Sequence, residues 1–164
     1  VTESRLRVIP RGVDPRRFDP GLVSAERLEK LRTAWGLPEG PPIIMLPARV
    51  TRWKGQMVLV EAMARLPGDS LALLVGDAEE RPTFRAELEA RIESLGLKDR
   101  VRLVGHANDM PVALMLANVV IHASTDAEAF GRTVIEAQAM ARPVIASDLG
   151  APRETVAEGV TGWR

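Results

Sequence analysis

The chain has 164 residues, of which 46% are hydrophobic and 27% charged, proportions that exclude wholesale disorder and allow one well-filled domain. Its 22 basic and 22 acidic side chains cancel, which argues against bulk nucleic-acid affinity or a polybasic membrane anchor but leaves room for a local basic pocket. With no cysteine and only His106 and His122, the chain has no disulfide, thiolate metal site, cysteine nucleophile or histidine-rich metal site.

No signal peptide is visible, and the longest apolar stretch, 110–123, is interrupted by Pro111, Asn118 and His122. It is also shorter than the roughly 20 residues of a spanning helix. The chain begins at Val1 and stops after Gly162-Trp163-Arg164, so the expectation is a piece cut from a larger protein.

In chain order, continuous apolar runs at 6–9, 43–46, 71–75, 101–104, 119–122 and 144–146 read as strands covered on both faces. Helical patterns lie between them. Ser24 is a candidate N-cap for a helix to Trp35, stopped by Gly36 and Pro38. The pattern continues at 56–66, with Met57 and Met63 as packing residues, and at 83–95, with Phe84, Leu88, Ile92 and Leu95 on one stripe. The charge-rich stretch 79–102 reads as a solvated face. Further helices are expected from Pro111 to near Ala117, at 133–141 and at 152–157. Strand alternating with helix implies right-handed crossovers, hence a Rossmann-like, doubly wound α/β domain with a mainly parallel sheet. Residues 10–20 read as a loop or linker. No internal repeat or second domain is visible.

In such sheets ligands bind at the C-terminal strand ends, so the loops there carry the chemistry. After Leu46, Arg49, Arg52 and Lys54 crowd a loop that opens a helix. Cations beside a helix N-terminus suit a phosphate or diphosphate, although the same loop also reads as a solvated basic surface. Gly76 follows the next strand and Gly105-His106 the one after, where small residues leave room for a flat base or simply make a turn. After His122, itself a core or strand-end histidine, a polar loop carries Glu128, Phe130 and Gly131 into a helix. The amides of Gly131, Arg132 and Thr133 would there face an anion. Phe130 is either a lid or a core anchor. Glu136 is a candidate acceptor for a vicinal diol, but Thr133-x-x-Glu136 also reads as a capping box. No Gly-x-Gly-x-x-Gly follows the first strands and no Gly-Lys-Ser/Thr occurs, so the dinucleotide and P-loop readings lack their phosphate loops.

Several segments, in order, resemble one family. Val8-Ile9-Pro10-Arg11-Gly12-Val13-Asp14 with Phe18 and Pro20 is similar to an interdomain "IPNGVD…F.P" segment. Ala48-Arg49 through Lys54-Gly55 is similar to "GR…KG". Glu128 and Glu136 match a paired-glutamate motif, and Arg142-Pro143-Val144-Ile145-Ala146-Ser147 through Gly162 resembles a "G.PVIAS…G..E.V..G.TG" close. Together they resemble the nucleotide-sugar-binding, C-terminal domain of retaining glycosyltransferases of the group 1 type (family four), with the two-domain GT-B architecture. Ala48, Arg11, Ala129, Arg132 and Arg142 depart from its commonest residues.

The resemblance implies that Arg49 and Lys54 neutralise a donor diphosphate and stabilise it as it leaves, with Glu128 on the transferred sugar. These three are the candidate catalytic residues. Gly131, Arg132 and Thr133 would hold the diphosphate or sugar, Glu136 the ribose, Gly105 and His106 the base, and Phe130 belongs with this donor-binding set. No metal and no cofactor are implied beyond the nucleoside-diphosphate-sugar donor. Residues 1–20 would be an interdomain segment with the first strand, and 21–164 the donor-binding domain. An acceptor-binding N-terminal domain and a C-terminal tail would be absent, leaving the isolated piece unable to transfer sugar alone. Acceptors of lipopolysaccharide or other surface-glycan type, a cytoplasmic location and peripheral association with the inner face of the membrane would belong to the whole bacterial protein, and nucleic acid would not be a partner. Two alternatives stand beside this reading: a sugar-nucleotide epimerase-like domain, and a non-catalytic nucleotide-sugar sensor or interaction domain.

Overall fold

A computed structural model describes residues 5, 7, 9, 11–78 and 81–164. Its elements are α1 (Ala25–Ala34), β1 (Ile43–Pro47), α2 (Gln56–Arg65), β2 (Leu71–Val75), α3 (Pro82–Ser94), β3 (Val101–Gly105), α4 (Met110–Leu116), β4 (Val119–His122), α5 (Arg132–Ala139), β5 (Val144–Ala146), α6 (Pro152–Thr155) and β6 (Gly162–Trp163). The strands form one sheet in the order β3-β2-β1-β4-β5-β6, and every pairing is parallel.

The continuous apolar runs make strands because both faces of the sheet are covered. All five residues of β2 are buried. Leu71, Leu73 and Val75 point to one side, into a core shared with Ala113 and Leu114 of α4 and Val134 and Ala137 of α5, with Leu28 and Leu31 of α1 packed against it. Ala72 and Leu74 point to the other, into a core with Leu59, Val60 and Met63 of α2 and Phe84, Leu88 and Ile92 of α3. The helices are thus sorted onto two faces by which connection they form, the doubly wound arrangement.

The local signals read in the sequence act as expected at α1: Ser24 Oγ accepts from the Arg27 amide at 3.3 Å, and Gly36, at φ 59°, follows the helix. The stretch 79–102 is not one solvated helix. α3 ends at Ser94, buries Phe84, Leu88 and Ile92, and is followed by a turn and then β3, while Glu79 lies outside the described residues. The expected strand 6–9 includes Leu6 and Val8, which also lie outside them. β6 was not anticipated: two residues, Gly162 and Trp163, pair with Val144 and Ile145 and close that edge of the sheet.

From β1 the chain winds outward through β2 and β3, then returns across the sheet to β4 and winds the other way. The order therefore reverses between β1 and β4, the point in such sheets where a ligand crevice forms at the C-terminal strand ends.

Candidate functional site at the strand-order reversal

A cavity of about 920 Å³ opens at this point. Its walls are the loop after β1 (Arg49, Trp53, Lys54), the loop after β4 with the start of α5 (Glu128 to Thr133), and the residues after β5 (Gly150, Ala151, Arg153). Ile9 and Arg11 of the N-terminal segment add to the rim.

The β1 loop is held in place by its backbone. Ala48 donates to Val75 O at 2.9 Å and Val50 to Asp77 O at 3.0 Å, while the fully buried Gln56 gives its side-chain amide to Arg49 O at 2.8 Å. The loop then makes a 3-10 turn at Arg52–Lys54. The turn separates its cations. Arg49 and Lys54 face the cavity, whereas Arg52 turns away to pair with Glu87 at 2.6 Å and lie over the Phe84 ring. Of the three cations crowded into the sequence, two therefore belong to the site. Gly55, at φ 75°, ends the turn where the β1 and β4 loops touch; a Cβ there would stand 1.9 Å from Ala123 O.

Lys54 lies over the Trp53 ring at 4.0 Å and pairs with Glu128 Oε2, and both partners are mostly buried. Burial pushes the Glu128 carboxyl up, but the hydrogen bond and charge of Lys54, with help from His122, outweigh it and hold the group below the ordinary carboxylate value. Glu128 is tied down from the β5 side as well. Its carbonyl accepts from the Ala151 amide at 2.9 Å, and Gly150 (φ 70°) packs so closely that a Cβ would sit 2.4 Å from that oxygen.

Gly131 is the N-cap of α5, in the left-handed region at φ 69°. The first-turn amides of Gly131, Arg132 and Thr133 have no partner within a helix by geometry, and these three residues line the cavity, so the helix presents partial positive charge there. Phe130 is half-buried in the same wall and is not a core anchor.

Glu136 lies one turn further along α5, half-buried and outside the cavity wall. The capping-box reading fails, because the helix starts at Arg132 and no side chain caps it. Burial raises the Glu136 carboxyl above its ordinary value, only partly offset by Arg132 and by Arg17 of the N-terminal segment. Among the described residues no hydrogen bond or ion pair engages its side chain. Gly105 and His106, at the exposed end of β3, stand apart from the cavity wall. Gly105 O accepts from the Gly76 amide at 2.8 Å.

Sequence reasoning missed that His122 and Ser124 lie under Glu128, at 3.5 and 3.4 Å from Oε2. The only trace of this in the sequence is that His122 and Ser124 are two apart at the end of a strand, hence on one side of the extended backbone. It missed Trp53 and Arg153 too, which line the cavity from positions with no motif of their own. Among the described residues no group of three or more His, Asp and Glu side chains is placed to hold a metal ion, and no helix is long and apolar enough to cross a membrane.

A family model described as "Glycosyl transferases group 1" matches residues 28–164. The D-inositol 3-phosphate glycosyltransferase of Xylanimonas cellulosilytica is 37% identical over 161 residues, covering 96% of this chain and 38% of the relative. A glycosyltransferase structure from Rickettsia africae superposes with a TM-score of 0.95 at 38% identity, over 99% of this chain and 43% of its own. The Anabaena protein HepE, solved in complex with UDP-glucose, gives a TM-score of 0.84 at 34% identity, over 93% and 41% of the two chains. The chain thus spans less than half the length of these relatives.

Proposed function

The chain belongs to the group 1 glycosyl transferases, and from that premise we propose that it is the donor-binding domain of an enzyme that moves a sugar from a nucleoside diphosphate to an acceptor. One observation carries this reading. At the reversal of strand order, two cations from one loop and the N-terminus of α5 from another face the same cavity across a buried carboxylate. A diphosphate needs the first two groups and a sugar hydroxyl the third.

In the reaction the bond between the anomeric carbon and the diphosphate oxygen breaks, a bond to an acceptor oxygen forms with retention of anomeric configuration, and the acceptor's hydroxyl proton passes to the departing diphosphate. Negative charge grows on the departing diphosphate. Arg49, Lys54 and the amides of Gly131, Arg132 and Thr133, whose residues line the cavity, would stabilise that charge as it develops. These cations do the neutralising that a divalent metal does elsewhere, and no metal is part of the proposal. Glu128 accepts from a hydroxyl of the transferred sugar. Glu136, free of any cap, accepts from the ribose diol. Phe130 closes one side of the donor, and the base runs along the strand ends toward Gly105 and His106. Binding of UDP-glucose by the related HepE supports a nucleotide sugar as donor.

The domain division at residue 20, an acceptor site in a preceding domain, surface-glycan acceptors and a cytoplasmic place at the inner face of the membrane belong to the same proposal for the whole protein. Calorimetric titration with UDP, GDP and ADP tests its core. At least one is expected to bind, and Arg49→Ala, at an exposed position whose side chain supports no fold contact, is expected to weaken it at least tenfold, the scale of one lost charge-assisted bond of about 1.5 kcal/mol. Equal affinity in the two proteins, or binding of none of the three, overturns the reading.

A further inference from the structure

Beneath Glu128, behind the cavity wall, lies a histidine that the reaction above leaves without a part. His122 is the last residue of β4 and is 5% exposed. Its backbone is fixed from the neighbouring strand, since His122 O accepts from the Ser147 amide at 2.8 Å. Its Nε2 lies 3.5 Å from Glu128 Oε2 and 3.5 Å from Ser124 Oγ, and Ser124 Oγ donates to the same Oε2 at 3.4 Å. Its Nδ1 is buried and has no side-chain partner among the described residues, the ring's backbone contact being within its own residue.

The side-chain contacts favour a proton on Nε2. An ionised Glu128 offers only acceptors, and the single Ser124 hydroxyl proton is used toward Oε2. Nε2 faces two oxygens that can only accept, so Nε2 carries the hydrogen and Nδ1 keeps a lone pair. An unmet buried polar atom is destabilising, so a residue serving as filler alone would be better apolar.

The three contacts of the Glu128 carboxylate, from Lys54, Ser124 and His122, all fall on Oε2. None falls on Oε1. We propose that His122 is a positioning residue: by donating from Nε2 to Oε2, together with Ser124, it turns the carboxylate so that Oε1 is presented to a hydroxyl of the transferred sugar. The need for such a support is sharpest when donor is bound. Lys54 then divides its charge between Glu128 and the diphosphate, and His122 and Ser124 remain to hold Oε2. Burial lowers the affinity of His122 for a second proton, opposed by the charge of Glu128 and reinforced by that of Lys54, which keeps the ring neutral at pH 7. This inference rests on the reading that Glu128 contacts the sugar.

The test compares affinities within three pairs, UDP with UDP-glucose, GDP with GDP-mannose and ADP with ADP-glucose, following the pair that binds best. The ratio of the two dissociation constants isolates the sugar. Glu128→Gln is expected to shift this ratio about tenfold, and His122→Leu to shift it to a similar extent while leaving nucleoside diphosphate affinity within twofold. His122→Gln, whose side-chain amide can donate to the same oxygen, is expected to restore most of it. If Glu128→Gln leaves the ratio unchanged, the sugar-contact reading falls and the inference with it. If Glu128→Gln shifts the ratio and His122→Leu does not, the inference alone is wrong. Imidazole nitrogen NMR of the unmutated protein at pH 7 is independent of whether any variant folds. A neutral ring protonated at Nε2 supports the proposal, and a ring protonated at Nδ1, or at both nitrogens, overturns it.

Discussion

Burial acts on both Glu128 and Glu136, and what surrounds each carboxyl decides the outcome. Around Glu128, Lys54 more than offsets desolvation and the group stays ionised. Around Glu136, desolvation is the larger effect and the charges of Arg132 and Arg17 recover only part of it, so the carboxyl is raised. A raised folded-state value means that the folded chain holds its proton more tightly than the unfolded chain does. Stability from this group therefore falls as pH rises above the unfolded carboxylate value. Glu136→Gln is expected to raise the melting temperature at pH 7, by a stability gain below about 2 kcal/mol, and to change nothing below about pH 4. It is also expected to weaken nucleoside diphosphate binding about tenfold while leaving inorganic pyrophosphate unaffected, since pyrophosphate has no ribose. Parallel thermal melts and titrations check both halves. The two glutamates were legible in the sequence as a spaced pair. Their opposite environments were not, because Lys54 is 74 residues away from Glu128 along the chain and Arg17 lies in a segment that reads as a loop.

The elements that matter most are the loops after β1, β4 and β5, which approach so closely that glycine is required where they meet. At Gly55 the backbone is left-handed and a Cβ would collide with Ala123 O at 1.9 Å. Gly55→Ala is expected to cost at least about 2 kcal/mol, combining left-handed strain with the forced separation of the β1 and β4 loops. Because Lys54 adjoins it, diphosphate affinity should fall as well; denaturant unfolding and titration of the same sample read the two effects. An unchanged midpoint would show that the loops can part without loss. The strands themselves were readable to within a residue or so, since runs such as Leu-Ala-Leu-Leu-Val have a single solution in a sheet covered on both faces. β6 was not, because Gly-Trp carries no run and becomes a strand only when Val144 and Ile145 lie beside it. The start of α5 was read one residue late because the sequence offered Thr133 as a cap, whereas the chain turns at Gly131.

Over the whole molecule, the sheet order places the basic β1 loop and the acidic β4 loop side by side although 70 or more residues separate Arg49 and Lys54 from Glu128 in the chain. Zero net charge is the sum of many surface pairs, such as Arg91 with Glu61 and Arg85 with Glu89, and it conceals a cavity where cations and a helix N-terminus converge. The doubly wound class and the loops to inspect could be deduced from strand and helix alternation. Which loops would be neighbours could not, because that depends on where the winding reverses, a property of the assembled sheet. The central claim is that this crevice binds a nucleoside diphosphate through Arg49, Lys54 and the first turn of α5. A crystal structure of the chain with the best-binding nucleoside diphosphate tests it most directly. Diphosphate oxygens are expected within hydrogen-bonding distance of Arg49, Lys54 and the amides of Gly131 to Thr133, with the ribose diol at Glu136. A nucleotide bound elsewhere, or a diphosphate in the crevice that touches neither Arg49 nor Lys54, would contradict it.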